Sequence, residues 1–242
     1  MPYCLWCREA YSPAASWGTL FSVSLEERFC QICEERFQAI EGEALCMICG
    51  RDLRLLDERY VENRMCSDCV RWEKDGWKDV LQKNRSPFLY NEFMKEVMTA
   101  FKFRSDAILA QGFKETLQQY YRIHFPDSVI VPIPLSHERL NDRGFNQSEH
   151  LACLLEKPIQ PVLVRRLHEE KQSKKSRKER VMPRSNPFEV KADEEIKERL
   201  EGQSVLLIDD IYTTGATLRL ASKALQPLKP KSVSALTLAR GW

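Results

Sequence analysis

The sequence predicts an α/β fold, with a mainly parallel sheet flanked by helices and a small metal-binding module in front of it. Two observations lead to this fold class. Eight of the nine cysteines form four C-x2-C pairs near the start of the chain. After them, short apolar segments typical of buried strands alternate with helical segments. The 242 residues suffice for one medium domain and one small one.

Composition limits the classes of protein that fit. Hydrophobic residues make up 43% of the chain and charged residues 30%, which excludes a mainly disordered or collagen-like chain. The formal net charge of +2 excludes a uniformly basic surface, so any contact with nucleic acid would need a local patch. No apolar run approaches the roughly 18 to 20 residues of a membrane span, and the first residues lack the pattern of a secretory signal. We therefore expect a cytoplasmic protein without a membrane span.

The four cysteine pairs predict two structural zinc sites. A two-residue spacer lets a tight turn direct two sulfurs at one ion, and two such turns complete a tetrahedral site. Because the cytosol keeps thiols reduced, metal binding is favoured over disulfides. A site of this kind has no open coordination position, so we expect the ions to fold the segment and not to catalyse. Sequential pairing gives one site from Cys4, Cys7, Cys30 and Cys33 and another from Cys46, Cys49, Cys66 and Cys69.

Three alternatives to this assignment stay open at the level of the sequence. Crossed pairings are feasible, because only 12 residues separate Cys33 from Cys46. Four thiolates also suit an iron–sulfur cluster, and thiols without metal are the third alternative. The ninth cysteine, Cys153, lies in an apolar run and is expected in a core.

The composition changes after the last cysteine pair, and this change suggests the domain bounds. We assign residues 1–72 to a double zinc-ribbon module, 73–85 to a charged linker and 86–242 to the main domain. Ser86 and Pro87 suit the start of a helix. Apolar residues then recur every four positions from Leu89 to Phe101, which predicts a helix with one face against a core.

The remaining elements alternate between strand and helix, as a parallel sheet requires. The predicted strands lie at 129–131, 205–208 and 233–238. The predicted helices lie through 113–121, 144–155 and 216–225.

The most informative segment runs from Val205 to Thr217, where a buried strand ends in Asp209 and Asp210. A short loop rich in threonine and glycine follows and leads into a helix. Backbone N–H groups at a helix start and threonine hydroxyls can together hold a phosphate, and Gly215 lets the backbone approach the anion. Ligands of open α/β sheets bind at the carboxyl edge, where these carboxylates lie. The segment therefore predicts a site for a phosphorylated sugar.

This strand-DD-x-x-TTG-x-T pattern resembles the phosphoribosyl pyrophosphate motif of type I phosphoribosyltransferases. The resemblance implies a type I phosphoribosyltransferase-like fold and binding of phosphoribosyl pyrophosphate together with Mg²⁺. It also implies that Asp209 and Asp210 hold the ribose hydroxyls. The 5′-phosphate would be held by Thr213, Thr214, Gly215 and Thr217.

A second segment agrees with this interpretation. An apolar strand ending in P-I-P at 132–134 is followed by Arg139 and Arg143, which could line a diphosphate. The P-I-P and R-G-F-N-Q runs, the cysteine-rich head and the F-K-F-R segment at 101–104 together resemble the competence protein F family, particularly its Gram-positive ComFC branch. Ser105 stands where we expect glycine in that family, so the resemblance assigns no ligand role to Lys102.

The segment from Arg165 to Arg184 is strongly basic, with nine Lys or Arg residues against three Glu and no apolar periodicity. It predicts a loop that either covers an anionic ligand or contacts a DNA backbone, with a solvated hairpin as the alternative. Arg51 and Arg54, beside the second cysteine site, could extend a DNA contact. The order of Gln172, Arg180, Asn186 and Phe188 resembles the segment that covers the pocket in the family.

Two functions are compatible with these features. The family resemblance implies a role in natural transformation, with single-stranded DNA, the ComFA helicase-like ATPase and the single-strand loader DprA as partners. In this case the main domain binds its ligand and docks to the uptake machinery. The alternative is an active phosphoribosyltransferase with an unidentified nucleobase or other acceptor. Because no segment identifies an acceptor pocket or a catalytic base, the first function is preferred. A zinc-ribbon regulator of nucleic acid is a third possibility that leaves the phosphosugar loop unused.

Overall fold

The computed structural model describes residues 1–12, 28–74, 76–103, 106–166, 186–191 and 193–241. None of the helices in these ranges has the length and apolar character to cross a membrane. The α-helices are α1 (Gln31–Glu34), α2 (Ser67–Trp72), α3 (Glu92–Phe103), α4 (Lys114–His124), α5 (His137–Arg143), α6 (Gln147–Cys153), α7 (Glu194–Leu200) and α8 (Ala216–Leu225). The strands are β1 (Val61–Glu62), β2 (Met65–Cys66), β3 (Asn84–Arg85), β4 (Phe88–Leu89), β5 (Val129–Pro132), β6 (Leu163–Arg165), β7 (Phe188–Val190), β8 (Ser204–Tyr212) and β9 (Ser232–Arg240). Short 3₁₀ helices lie at Leu53–Leu55, Glu58–Tyr60, Ala107–Phe113 and Gln226–Leu228.

The central sheet has the strand order β3-β9-β8-β5, and every pair in it is parallel. β4 continues the edge along β9, also in parallel. The strands of this sheet read as continuous apolar runs because both faces are covered. Two small antiparallel pairs, β1-β2 and β6-β7, lie outside the sheet. The predicted fold class, an α/β domain with a mainly parallel sheet flanked by helices, is confirmed.

Side chains along β8 alternate between two apolar cores, one on each face of the sheet. Leu206 belongs to the core that contains residues of α3, α4 and α6, whereas Leu207 belongs to the core that contains residues of α7 and α8. The first core also contains Cys4, Cys30 and Cys33. The second core also contains Cys46, Cys49, Cys66 and Cys69. The two halves of the cysteine-rich segment therefore pack on opposite faces of the same sheet.

The first long helix begins later than the sequence pattern suggests. α3 starts at Glu92, where Asn91 Oδ1 accepts a hydrogen bond from the Met94 N–H at 2.8 Å. The expected cap, Ser86, is buried instead, and its hydroxyl lies 2.7 Å from that of Thr237 on β9. The prediction of a helix start at Ser86 is wrong. Ser86 directly follows the edge strand β3, and a single sequence does not distinguish a serine in this position from a helix cap.

The segment predicted as one helix over 144–155 contains two helix boundaries. Gly144 ends α5 in the left-handed conformation, with φ +75°, a backbone geometry that glycine adopts readily. Asn146 then caps α6, since its side chain accepts a hydrogen bond from the Ser148 N–H at 3.1 Å. Cys153, expected in a core, is the last residue of α6 and is exposed.

The range 73–85 contains more structure than a linker. Leu81 is buried in the second core, and Asn84 and Arg85 form β3, which pairs with β9. Asn84 is fully buried and donates a hydrogen bond to Ser86 Oγ at 3.0 Å. The predicted bounds therefore describe the composition of the sequence, at 1–72, 73–85 and 86–242. The second core and the central sheet contain residues from both sides of these bounds.

Candidate functional site

Two adjacent carboxylates lie on β8, toward its carboxyl end. Asp209 Oδ1 accepts hydrogen bonds from the Ser148 hydroxyl at 3.0 Å and from the Asp210 backbone N–H at 2.9 Å. Ser148 reaches Asp209 from the first turn of α6, which packs against β8. The Asp209 carboxylate is therefore held in one orientation by the fold.

The surroundings of Asp209 raise the affinity of its carboxylate for a proton. Burial, followed by the negative charge of Asp210, raises the pKa of Asp209 from 3.8 to about 7. The hydrogen bonds from Asp210 and Ser148 and the positive charge of Lys102 act in the opposite direction. Near neutral pH this group can therefore either accept or release a proton.

Lys102 is a site residue that the sequence left unassigned. Its ammonium forms an ion pair with Asp210 Oδ2, and both side chains are about five-sixths buried, at 15% and 16% exposure. Lys102 reaches the site from the last turn of α3. Ser105, the departure from the family pattern, lies outside the described residues. The pairing nonetheless brings a cation from a helix on one face of the sheet to the carboxylates.

Two arginines of α5, both predicted as diphosphate ligands, lie toward the same edge. Arg143 is half-buried, and its Nη1 donates to Gln147 Oε1 at 2.7 Å. Burial lowers the pKa of Arg143, and the nearby charges of Asp210 and Asp209 raise it. Arg139 is exposed, and its charge acts on Arg143 and on Arg165. The structure thus brings Arg143 near the acidic pair and Arg139 near Arg143 and Arg165.

Arg165, the first residue of the predicted basic segment, lies at the end of β6. Burial lowers its pKa, the charge of Arg139 lowers it further, and the charge of Asp209 raises it. Residues 167–185, which contain most of the predicted flap, including Gln172 and Arg180, lie outside the described residues. Asn186 is described, and its side-chain amide donates to the Leu220 carbonyl of α8 at 2.8 Å.

The Thr-Gly loop between β8 and α8 is exposed on one side and fitted closely on the other. Thr213, Thr214 and Thr217 are exposed, whereas Gly215 is buried with φ +77°. A Cβ at Gly215 would collide with the Tyr212 hydroxyl and the Arg219 guanidinium. These five positions, which include Ala216 at the start of α8, present threonine hydroxyls and a helix N-terminus to solvent.

The loop is also held by a residue of the cysteine-rich segment. Trp72 Nε1 donates a hydrogen bond to the Thr214 carbonyl at 3.0 Å, across 142 positions of sequence. Trp72 is the last residue of α2, which begins directly after Cys66 and contains Cys69. No local sequence pattern indicates this contact.

The eight paired cysteines form two groups in the arrangement that sequential pairing gives: Cys4, Cys7, Cys30 and Cys33, and Cys46, Cys49, Cys66 and Cys69. Within each group all four sulfurs lie within 4.8 Å of one another. The Sγ–Sγ distance is 3.8 Å between Cys7 and Cys30 and 3.6 Å between Cys49 and Cys66. A tetrahedral ion with zinc–sulfur bonds of about 2.3 Å requires about 3.8 Å between sulfurs. Each group therefore fits one metal ion and is too narrow for a cluster of several irons with sulfides between them.

The two arginines proposed to extend a DNA contact are engaged in ion pairs. Arg54 Nη2 lies 2.6 Å from Asp52 Oδ2, and Arg51 Nη2 lies 3.1 Å from Asp68 Oδ2. Each arginine therefore has a neighbouring carboxylate that reduces its attraction for a phosphate backbone.

Comparisons with known proteins place the chain in a family. Residues 140–241 match the family model "Phosphoribosyl transferase domain". The chain is 38% identical to "Competence protein ComFC" of Bacillus subtilis (strain 168), over 98% of this chain and 94% of the relative. It is 32% identical to "Competence protein ComFC" of Streptococcus pneumoniae (strain ATCC BAA-255 / R6), over 98% of this chain and 99% of the relative. It is also 29% identical to "Competence protein F" of Haemophilus influenzae, over 87% of this chain and 90% of the relative.

The sheet, the acidic pair and the Thr-Gly loop define a phosphoribosyltransferase-like protein. Two groups of four cysteines pack on opposite faces of its central sheet. Full-length similarity then assigns the family: the chain belongs to the competence protein F family, to which the ComFC proteins belong. The predicted family resemblance is confirmed.

Proposed function

We propose that this protein binds phosphoribosyl pyrophosphate with Mg²⁺ and serves the uptake of single-stranded DNA in natural competence. One observation carries the ligand assignment. Asp209 and Asp210 lie on the strand that leads directly into the exposed Thr-Gly loop, and Lys102 of α3 forms an ion pair with Asp210. The two carboxylates can accept hydrogen bonds from sugar hydroxyls, and the N-terminus of α8 beside them can hold a phosphate. Together these groups suit a phosphorylated sugar.

Each group of the site has a separate role in this proposal. The ribose hydroxyls donate hydrogen bonds to Asp209 and Asp210. The hydroxyls of Thr213, Thr214 and Thr217 and the N-terminus of α8 hold the 5′-phosphate, while Arg139 and Arg143 face the diphosphate. The oxygen-rich donor set suits Mg²⁺, which when bound would neutralise part of the diphosphate charge.

Calorimetric titration of the metal-replete protein with phosphoribosyl pyrophosphate and Mg²⁺ tests this proposal. We expect one ligand per chain, and we expect Asp210→Ala to weaken binding without changing the circular dichroism spectrum. Glu198→Gln removes an exposed charge on α7 and should bind like the wild type. Undetectable binding by the wild type, or unchanged affinity of Asp210→Ala, contradicts the site assignment.

The two cysteine groups are proposed as structural zinc sites. Zinc suits four thiolates in a tetrahedron, and the sulfur separations fit that geometry. Such ions supply folding free energy. Each ion would therefore hold its half of the cysteine-rich segment on the face of the sheet that this half covers. Elemental analysis should give two zinc ions per chain, and iron or a single metal would contradict this assignment.

The proposed role in DNA uptake is supported by the competence relatives named above. In this role the protein acts in the cytoplasm, with ComFA, DprA and single-stranded DNA as partners. Because Arg51 and Arg54 are ion-paired, the basic segment from Arg165 to Arg184 is the better candidate for DNA contact. Changing Lys174, Lys175, Arg177 and Lys178 to Ala should weaken DNA binding and transformation together.

The salt dependence of DNA affinity tests this contact. Binding that neutralises several phosphates falls steeply as salt rises and depends little on base sequence. Undetectable or salt-independent binding by the wild type would assign DNA contact to a partner protein. If the four-residue variant loses affinity for phosphoribosyl pyrophosphate but not for DNA, the segment covers the ligand instead.

The match to the phosphoribosyl transferase domain favours one second candidate, an active transferase. In that case phosphoribose moves to an acceptor and pyrophosphate is released. A screen for pyrophosphate release with candidate nucleobases tests this candidate. Release that depends on one acceptor and disappears in Asp210→Ala would establish turnover.

A further inference from the structure

Two arginines, Arg219 on α8 and Arg240 at the end of β9, are buried in the described part of the chain, with 0% and 2% exposure. A guanidinium withdrawn from water requires a compensating negative charge. Within the described ranges neither side chain forms a salt bridge with a carboxylate. Both guanidinium groups lie beside sulfurs of the second cysteine group, which we define as Cys46, Cys49, Cys66 and Cys69.

The contacts with this group are direct. Arg240 Nη2 lies 3.2 Å from Cys49 Sγ, and its Nε donates to the Cys49 carbonyl at 3.2 Å. Arg219 Nη2 lies 4.0 Å from Cys69 Sγ. A divalent ion with four thiolates carries two negative charges, and the two guanidinium groups carry two positive charges. The second group with its ion and its two arginines would therefore be electrically neutral inside the core.

The same two arginines contact Tyr212, which lies beneath the Thr-Gly loop, and Arg240 Cζ lies 5.4 Å from the centroid of the Tyr212 ring. Arg219 Nη1 donates to the Tyr212 hydroxyl at 2.9 Å, and both groups lie directly beneath Gly215. The Arg219 guanidinium also lies over the Trp72 ring, 4.8 Å from its centroid. Trp72 in turn donates to the Thr214 carbonyl at 3.0 Å. The inner side of the loop therefore rests on side chains whose partners belong to the second cysteine group.

The first cysteine group, which we define as Cys4, Cys7, Cys30 and Cys33, has different surroundings. Among the described residues its hydrogen bonds from nitrogen come from backbone N–H groups: Trp6 and Cys30 donate to Cys4 Sγ at 3.4 and 3.2 Å. Trp6 packs edge-on against Phe93 of α3, with ring centroids 5.5 Å apart. In the described part of the chain, the hydrogen bonds of this group involve none of the residues of the Thr-Gly loop.

We propose that Arg219 and Arg240 are positioning residues that couple the metal of the second cysteine group to the Thr-Gly loop. The loaded metal site holds the arginines, and the arginines and Trp72 hold the loop in its binding shape. This inference rests on the proposed function. Coupling between two binding equilibria is reciprocal, so a bound phosphosugar must also strengthen retention of that one metal.

The first test uses the unmutated protein and measures metal release into a chromogenic chelator. Two phases are expected, one for each cysteine group. Phosphoribosyl pyrophosphate with Mg²⁺ should slow one phase and leave the other unchanged. If both phases keep their rates while calorimetry shows that the ligand is bound, the coupling is refuted and the proposed function stands. If calorimetry detects no binding, the proposed function fails and this inference fails with it.

The second test uses substitutions at Arg240. Arg240→Met removes the charge and keeps similar volume, and the loss of a group that contacts a metal ligand commonly costs about 10- to 100-fold in affinity. We expect faster release of one metal and weaker ligand binding in the same variant, and partial rescue of both by Arg240→Lys. The control is Arg36→Met. Arg36 Cζ lies 3.7 Å from the centroid of the Phe93 ring, on the face of the sheet that the first cysteine group covers. Circular dichroism checks that each variant is folded. Equal effects of Arg240→Met and Arg36→Met, or no rescue by Lys, would overturn the inference.

Discussion

The two cysteine groups offer the same ligands but occupy different environments. The first lies in an apolar core with the aromatic side chains of α3 and its neighbours, whereas the second lies against two buried arginines. Only the second has described contacts that lead to the loop beside Asp209 and Asp210. A repeated motif therefore need not have repeated surroundings, because each cysteine group packs on a different face of the sheet.

The largest expected contrast between the groups comes from removing one ligand of each. Cys66→Ser and Cys7→Ser should each lower the metal content from two ions to one. The Cys66 variant should lose ligand affinity by about 100-fold or more, because α2 and Trp72 lose their anchor. The Cys7 variant should bind within about twofold of the wild type, as distant sites act independently. Elemental analysis and calorimetry check both results. Equal loss of affinity in the two variants would show that the groups have the same role.

The next contrast uses two glycines with similar backbone geometry. Gly215 and Gly202 have φ +77° and +71°, so alanine at either position costs about 1 to 2 kcal/mol in left-handed strain. Only at Gly215 would the new Cβ collide with Tyr212 and Arg219. Gly215→Ala should therefore abolish phosphosugar binding, whereas Gly202→Ala should lower only the free energy of unfolding. Binding by Gly215→Ala with wild-type affinity would show that the fit beneath the loop is unimportant.

The pH dependence of binding tests the acidic side of the site. Since the pKa of Asp209 is raised to about 7, its carboxylate gains a proton as pH falls through neutrality and then accepts hydroxyl hydrogen bonds poorly. Affinity should fall by at most about tenfold per pH unit below 7. Asp209→Asn should bind weakly and show a smaller change with pH, since only the ligand's own phosphate groups then titrate. A wild-type profile no steeper than that of Asp209→Asn between pH 8 and 6 would contradict this role.

The stability of the free protein should vary with pH in the opposite sense. The unfolded chain releases the Asp209 proton at its ordinary pKa of 3.8, whereas the folded chain keeps it to about 7. The contribution of this group to stability therefore declines as pH rises between these values. Relative to the wild type, Asp209→Asn should gain stability at pH 8 and gain little at pH 4, as measured by urea unfolding.

The smallest expected effect concerns Lys102, which approaches the carboxylates from the face that the first group covers. Lys102→Met removes the ion pair with Asp210 and should weaken ligand binding about threefold to tenfold. Lys95→Met is the matched control, because Lys95 lies on the same helix with an exposed side chain. Equal affinities of these two variants would mean that Lys102 plays no part in binding.

The sequence allowed prediction of those parts of the molecule that local patterns determine. The bounds of α8 agree with the predicted 216–225, since an apolar strand, a glycine and a helical repeat follow one another directly. The C-x2-C spacing likewise led to the correct grouping of the sulfurs. The family resemblance rested on the same contiguous motifs.

The contacts that distinguish the two cysteine groups could not be predicted in this way. Trp72 meets Thr214 across 142 positions, and Arg240 meets Cys49 across 191. Such pairs depend on which face of the sheet each segment covers, and a single sequence has no local signal for that choice. The error at Ser86 has the same origin, because β3 immediately before it pairs with β9 and its hydroxyl contacts Thr237 across 151 positions.

Backbone hydrogen exchange of the loop at 213–217 tests the central comparison most directly, because it requires no ligand. The measurement compares Cys66→Ser and Cys7→Ser with the wild type under conditions in which each variant keeps its central sheet protected. We predict faster exchange of the loop amides in Cys66→Ser and unchanged exchange in Cys7→Ser. Equal exchange of the loop in both variants would contradict the assignment of the second cysteine group to the phosphosugar site.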